Sequence, residues 1–561
     1  MNHIQGIDRF QLNFSSLEDA IPKDNPVRVI DSFINKLDLD LLGFVAKPDK
    51  PEQEPKQPNP HLDGRPSFEL QVFLKIYFYG YFNGIRSSRR LEKECLRNIE
   101  VKWLINGLTP NYHSIADFRK NNPKALKNCF KLYTVFLQDI GLIGGKTIAV
   151  DGSKFRASNS KKNNYSQNKI DRHLSYIGQK LEEYLQQLDQ ADSLELSDQS
   201  IQLIEQKIQY FKNSKINYEL LQEKLSQSGE TQISTTDPDS KALLVQGQVV
   251  EVAYNVQAAV DDKHNLVVAT HVINRNDRNA LYDIASEAKE NLSSDGFTVL
   301  ADKGYHNGRE LQNCQNKGIQ TIVAPNEIVN SNKFGTTEDY LVTKFTYNPD
   351  NDTYTCPQGS TLTSKGTWHK KTRERDHHLF KKYRTPDCKT CPVKHLCTGR
   401  KDGGREIERS EYAEAVEANL KNLQENKGLY KRRQMIIEHI FGTAKRKWGF
   451  NFTDLRGLEK VNGEFAHIMT VYNLKRTIKI LGIPDLLLII QNWKPDYKWV
   501  SLALKSSLYS LFKASWNHKN LKTKTNHSTI KLTEIQGLVH VKPLYTSETH
   551  FFQKTESFFT P

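Results

Sequence analysis

Apolar positions recur at helical intervals through the first 143 residues. Leu70, Leu74, Tyr77 and Tyr81 step by four, three and four, the interval that stacks side chains on one helix face, and Asn83-Gly84 ends the run. A basic segment, Arg86–Arg97, follows with Ser87 or Ser88 as its cap, and Val101–Ile105 and Ser114–Lys120 predict two further short helices. Asn122-Pro123 marks a helix start, a capping side chain followed by proline in the first turn. That helix would bury Leu126, Leu132, Phe136 and Ile140. Lys47–Arg65, KPDKPEQEPKQPNPHLDGR, is a polar, proline-rich linker.

The period changes after Lys146. Thr147–Val150 is a short apolar strand running into Asp151-Gly152. Then Ile170, Leu174, Ile177, Leu181, Tyr184 and Leu188 alternate steps of four and three, and Ile201, Ile204, Ile208, Phe211 and Tyr218 resume a helical pattern. These predict a helical hairpin, a coiled-coil arm that could dimerise or brace DNA, or structural padding. Val249–Val260 and Leu266–Ile273 form a β-hairpin about the polar stretch Asp261–Asn265. Asp277–Leu292 is helical, Phe297–Ala301 is a strand ending on Asp302, Arg309–Lys317 is a helix and Ile319–Ala324 a strand. Leu429–Phe450 is a last helix whose Ile436, Ile437, Ile440, Phe441, Ala444 and Trp448 share one face.

This succession predicts a mixed α/β core. The expected divisions are a helical N-terminal DNA-binding domain (1–143), an α/β domain (144–482) with insertions at 160–230 (helical hairpin) and 330–410 (cysteine-rich, zinc-ribbon-like), and a basic tail (483–561), partly disordered. The short basic helices of the first division suit a helix-turn-helix variant, or a scaffold whose cations are merely solvated.

Composition narrows the partners. Against 65 acids stand 79 lysines and arginines, a net charge of +14 in 561 residues, which favours polyanions, nucleic acid first and an anionic membrane surface second. The most apolar stretches, Phe73–Phe82 and Leu486–Ile490, are too short to span a bilayer. The start lacks a basic-then-apolar leader, so a cytoplasmic location is expected. The odd cysteine count of seven argues against a disulfide framework. Cys95, Cys129 and Cys314 are isolated, whereas Cys356, Cys388, Cys391 and Cys397 are grouped around a C-x₂-C knuckle. Four thiolates suit structural Zn²⁺; His395 could replace one of them, and four reduced, unligated cysteines is the plainer alternative. Lys370, Lys371, Arg373, Arg375, Lys381, Lys382 and Arg384 surround the group and would grip DNA phosphates.

Three acids carry the candidate chemistry. Asp151 and Asp302 each follow a strand, and side chains at strand ends collect at one edge of an α/β sheet. Glu438 lies opposite the apolar stripe of its helix, with Lys431 and Lys445 each seven residues away and nearly in line. Singly each is an ordinary turn former or surface charge. Together they make an oxygen-rich site for hard divalent cations, the donor set that phosphodiester cleavage by paired metal ions requires.

Four ordered motifs point further: VDGSKFRA around Asp151, TDPDSK at Thr236–Lys241, LADKGYHNGREL around Asp302, and Tyr430–Lys445 with EHIFGTAK. Over residues 1 to about 482 the chain resembles the DDE transposases of bacterial insertion sequences, in particular a subgroup with a helical N-terminal region and a cysteine-rich insertion. The resemblance implies a ribonuclease-H-like catalytic core with Asp151, Asp302 and Glu438 as the metal-binding triad. It implies Mg²⁺ (or Mn²⁺), hydrolysis at the element's ends, and attack of the freed 3′-hydroxyl on target DNA. Its partners would be double-stranded DNA (terminal inverted repeats and target) and further copies of itself, a homodimer or higher oligomer. Tyr430, Arg433, Glu438 and Lys445 match the family's ordered signature, with Tyr430, Lys431, Arg433 and Lys445 as expected DNA contacts. Four residues separate Arg433 from Glu438 rather than the commoner three, and on an unbroken helix Arg433 points to the apolar face; either the helix begins after it or Lys431 takes its role. A metal-dependent nuclease without strand transfer and a non-catalytic DNA-binding relic are the rival readings.

Overall fold

The computed structural model describes residues 10–12, 14–46, 67–190, 197–245, 249–325, 336–371, 377–400 and 403–497. Six helices precede the first strand: α1 (Pro26–Asn35), α2 (Leu70–Phe82), α3 (Ser88–Arg97), α4 (Ile99–Leu104), α5 (Tyr112–Asn121) and α6 (Pro123–Asp139). The apolar composition of α2 covers nearly every side, and Leu74, Tyr77, Phe78 and Tyr81 are all buried. Asn122 precedes α6 as predicted, but its amide does not cap the helix; it accepts from Val45 N–H and donates to the carbonyls of Val45 and Phe118.

The central sheet begins with β1 (Thr147–Arg156), which runs through Asp151 rather than stopping before it. After β1 come β2 (Asn164–Ser166), α7 (Gln167–Asp189), α8 (Asp198–Ser228), β3 (Gln232–Ser234), β4 (Lys241–Val245), β5 (Val249–Asp261), β6 (Val267–Ile273), α9 (Leu281–Leu292), β7 (Thr298–Ala301), α10 (Gly308–Asn316) and β8 (Gln320–Val323). β5 pairs antiparallel with β1 from Ala253 to Asp261, opposite Arg156 to Ile148, which is why β1 continues past Asp151. The near half of β5 pairs with β4 and the far half with β6. β7 lies parallel to β1, and β8 parallel to β7. The apolar run of β5 fits a strand covered on both faces. This mixed sheet fits the ribonuclease-H-like core of a DDE transposase.

The predicted helical hairpin is α7 and α8, packed side by side with Ile170, Ile177, Ile204 and Ile208 buried and the short β2–β3 ribbon at its base. A second sheet carries the cysteine-rich stretch. β9 (Thr346–Asn348) and β10 (Thr353–Thr355) form the hairpin before Cys356; β11 (Thr361–Ser364), β12 (His369–Lys371), β13 (His378–Arg384), the single turn α11 (Lys394–Cys397) and β14 (Ile407–Ser410) follow. It has a small core of its own: Phe345, Tyr354, Leu362, Tyr383 and Ile407.

The chain then forms α12 (Ala413–Glu425), α13 (Lys427–Gly442), a π-helical turn (Thr443–Lys447), α14 (Leu458–Leu481) and α15 (Ile483–Asn492). α14 runs through the interior, between α6 and α2 on one side and β6 on the other. Its Asn473 amide bonds both the N–H and the carbonyl of Val267 at 2.9 and 2.8 Å, extending the sheet's hydrogen bonding with a side chain. Arg86 meets Glu464 at 3.3 Å and Arg119 meets Asp454 at 3.2 Å, tying the N-terminal helices to this region. α15 docks on α1, with Trp493 stacked on Phe33. The linker 47–65, Arg373, Arg375 and the tail from 498 lie outside the described residues. Among those described, no helix is long and apolar enough to cross a membrane.

Candidate active site

The sheet brings two of the three acids together. β1 and β7 pair as Thr147↔Thr298, Ile148↔Val299 and Ala149↔Leu300. Asp151 lies two residues beyond the last of these pairs on β1, and Asp302 is the first residue after β7, near enough for its charge to act on Asp151. Asp302 leaves β7 and turns at once, its carboxylate accepting the Gly304 N–H at 2.8 Å. Asp151 accepts the Gly152 N–H at 2.8 Å. Burial raises the Asp151 carboxyl to about 6; the Gly152 N–H and the Arg433 guanidinium pull it back down, while the charges of Asp302 and Asp277 push it further up. The Asp302 charge, opposing the ionisation of Asp151, leaves this edge of the sheet suited to a cation.

The other face of β1 carries a polar network that sequence reasoning missed. Gly152 and Lys154 pair with Gln257 and Asn255 of β5. Asp277, in the turn before α9, accepts from Asn255 at 2.7 Å and Gln257 at 2.9 Å on one oxygen, and from Lys154 at 2.8 Å on the other. Burial works to raise the Asp277 carboxyl, but the Lys154 charge and these hydrogen bonds hold it below the usual range. The Tyr305 hydroxyl, three residues after Asp302, donates to the Gln257 carbonyl oxygen. Glycine at 152 is required here: a Cβ would lie 2.2 Å from Gln257 Nε2 and 2.5 Å from Asp277 Oδ1. The Asp-Gly pair therefore marks close approach beneath a continuing strand, not the strand's end.

Helix α13 packs against β1, β5 and β7. Ile436, Ile437, Ile440, Phe441 and Ala444 are buried as the periodicity predicted, and Trp448 is half-buried. Arg433 is on the sheet side, half-buried and close enough to act on Asp151. Glu438 is exposed and makes no hydrogen bond or ion pair among the described residues. Tyr430 is half-buried and Lys431 exposed. Lys445 leaves the line of Glu438. The π-helical turn rotates it inward, where its ammonium donates to the Lys154 carbonyl at 2.6 Å and lies 4.4 Å from the centre of the Phe155 ring. Burial, then the Lys154 charge, lower its pKa to about 8. Among the described residues no three His, Cys, Asp or Glu side chains are spaced to hold one metal ion. Asp151 and Asp302 come from neighbouring strands, and Glu438 is an exposed residue of α13, the helix packed on those strands.

Two family models match the chain, one described as a transposase DDE domain over residues 355–478 and one as a transposase domain (DUF772) over residues 15–121. These matches indicate a DDE-type transposase of the insertion-sequence kind. No curated protein and no solved structure gives a significant match. The DDE-domain match includes Glu438 and Lys445, whereas Asp151 and Asp302 lie outside both matched stretches. The other match ends with the last residue of α5.

The four grouped cysteines also converge. Cys356, Cys388, Cys391 and Cys397 line one small cavity of about 30 Å³, together with Phe345, Leu362 and Arg405. Burial raises the Cys397 thiol, Arg405 opposes it, and the other three cysteines add to the rise. The four are not drawn in to metal-ligand spacing. The surrounding cations are partly neutralised within the fold: Glu406 gathers Lys382 at 3.1 Å, Arg384, and Arg400 at 3.5 Å, while Lys381 pairs with Asp352 at 2.7 Å and Lys371 with Glu408 at 3.5 Å.

Proposed function

We propose that this transposase binds the ends of an insertion sequence and catalyses strand cleavage and strand transfer, with Asp151, Asp302 and Glu438 as its acids and Mg²⁺ or Mn²⁺ as its cation. The observation that carries the reading is that Asp151 on β1 and Asp302 directly after β7 come from adjacent parallel strands, with α13 packed on the same strands. An Asp151 carboxyl whose proton affinity is raised by burial and by a second acid fits a hard cation, which takes oxygen donors. Asp151 and Asp302 would hold it, and Glu438 would join them from α13. When bound, the cation supplies charge neutralisation and an activated attacking oxygen.

The chain's own groups set the geometry. The Gly152 and Gly304 N–H groups each fix one oxygen of an acid. Arg433 offsets the charge of Asp151. Tyr430 and Lys431, on the same helix as Glu438, are the DNA contacts we assign there, and Lys445 becomes one by exchanging the Lys154 carbonyl for a phosphate oxygen. The net charge of +14 supports a polyanionic partner. We assign structural Zn²⁺ to Cys356, Cys388, Cys391 and Cys397, supported by their shared cavity, and a homodimer, acting in the cytoplasm, as the species that pairs two DNA ends.

The test uses a plasmid carrying the DNA that borders the gene on both sides. Asp151→Asn, Asp302→Asn and Glu438→Gln should each abolish cleavage while gel-shift binding of the end DNA is retained. Undiminished cleavage in any one variant removes that residue from the triad. Joining of the cut end to a second duplex separates a transposase from a nuclease, and end binding without cleavage by the unaltered chain would identify a relic. Absence of stoichiometric zinc in the purified protein would refute the cysteine assignment.

A further inference from the structure

A chain of polar contacts ties the two aspartates together from the face of the sheet opposite Asp151. It starts three residues after Asp302, where the Tyr305 hydroxyl donates to Gln257 on β5. The Gln257 amide donates to Asp277 at 2.9 Å, and Asp277 accepts the Lys154 ammonium at 2.8 Å. The backbone carbonyl of Lys154 accepts the Lys445 ammonium at 2.6 Å. One carboxylate thus touches β1 and β5 directly and reaches the turn after β7 through one amide. Asn255 and Gln257 are fully buried, and both direct an amide N–H at Asp277; a buried polar group left without its partner is costly, so loss of the Asp277 carboxylate is felt on β5 as well as β1. Gly152, directly after Asp151, is what lets these groups come against the strand.

We propose that Asp277 is a positioning residue for the reaction: it fixes the spacing of Asp151 and Asp302, and so the affinity of the site for its divalent cation, without touching cation or DNA. Its oxygens are engaged by two amides and an ammonium, three of about four acceptor positions, which holds it to its protein partners. Lys154 balances its charge, which keeps the region behind the acid pair neutral overall. Groups that orient metal donors from behind are worth roughly 10- to 100-fold in metal affinity when removed. The inference rests on Asp151 and Asp302 being the cation's donors.

The experiment measures Mn²⁺ binding to the full chain, by electron paramagnetic resonance of free Mn²⁺ and by the thermal shift Mn²⁺ produces, alongside single-turnover cleavage and end binding. Asp277→Asn should weaken Mn²⁺ roughly 10- to 100-fold and lower the cleavage rate at fixed Mn²⁺, with end-DNA affinity unchanged. Gln257→Leu, which cuts the link to Tyr305 without altering charge, should weaken Mn²⁺ in the same direction. Adding Lys154→Met to Asp277→Asn, which removes the charges as a pair, should recover part of the loss. Wild-type Mn²⁺ affinity in Asp277→Asn and in Gln257→Leu overturns the proposal. So does a loss in Asp277→Asn that Lys154→Met does not relieve while Gln257→Leu binds normally, for that is the behaviour of a direct donor. Should Asp277→Asn fail to fold, Gln257→Leu alone decides. Asp151→Asn is the control: if it binds Mn²⁺ as the unaltered chain does, the assignment of the acid pair fails instead.

Discussion

Asp151 is held in a setting that resists its ionisation, and the consequence for stability has a definite sign. Its pKa, 3.8 in an ordinary setting, is raised to about 6 by burial first, with the Asp302 charge adding to it. Between those values the folded chain binds more protons than the unfolded one, so stability falls as pH rises through that window and the full penalty is present above it. Two pKa units correspond to about 3 kcal/mol as an upper bound. Asp151→Asn should therefore make the cation-free protein more stable at pH 7.5, by about 1–3 kcal/mol, and no more stable at pH 4, while cleavage is lost. Urea unfolding at the two pH values checks it; an Asn variant less stable at pH 7.5 would contradict the account. Asp151 and Asp302 were legible because a strand followed by an acid is a local pattern. Asp277 was not. Its partners Lys154, Asn255 and Gln257 sit on two other elements, and within NRNDRN it reads as an ordinary helix start. The constraint at Gly152 was not legible either, since the sequence does not show which groups lie beneath it.

Among the elements, α13 and α14 show where periodicity informs and where it fails. The apolar stripe of α13 was readable, and the same phase argument put Arg433 on the sheet side. Extending one phase to Lys445 failed because the turn at Thr443–Lys447 is π-helical, and such turns re-aim side chains without a clear sequence mark. α14 offered no stripe at all. It is buried on nearly all sides and carries Glu464, His467, Thr470, Asn473 and Thr477 in its interior, and a helix buried all round shows little amphipathic contrast. His467 makes this testable. It lies among the rings of Tyr77, Phe78 and Tyr81, and burial lowers its pKa to about 3. Below its ordinary value of 6.5 the unfolded chain takes up a proton that the folded chain refuses, so stability is lost as pH falls from about 6.5 towards 3. His467→Phe should unfold with a shallower acid dependence than the unaltered chain over pH 6.5–4.5, the difference approaching about 1.4 kcal/mol per pH unit. Parallel acid profiles would mean that His467 is charged in the fold.

At the scale of the molecule, the sequence suggested a helical region joined to an α/β region near residue 143, and the contacts across that junction are extensive. α14 packs on α6 and α2 with one side and on β6 with the other. Arg86 reaches Glu464 and Arg119 reaches Asp454, with Glu464 fully buried. Tyr133 bonds Thr477 at 3.2 Å. A helix shared by two layers cannot be released from one without exposing its face to the other, and removing one member of a buried ion pair typically costs about 3–5 kcal/mol because the remaining charge is stranded. The two regions should therefore unfold as one cooperative unit. Hydrogen exchange followed by mass spectrometry through a urea series can resolve them, because α2 and β5 fall in different peptides. Their amides should lose protection at the same urea concentration in the unaltered chain. In Glu464→Leu, which removes the buried carboxylate that Arg86 meets across the seam, α2 should lose protection first while β5 remains protected. Separate transitions in the unaltered chain would instead show that the N-terminal helices fold as an independent domain that merely rests against the catalytic sheet.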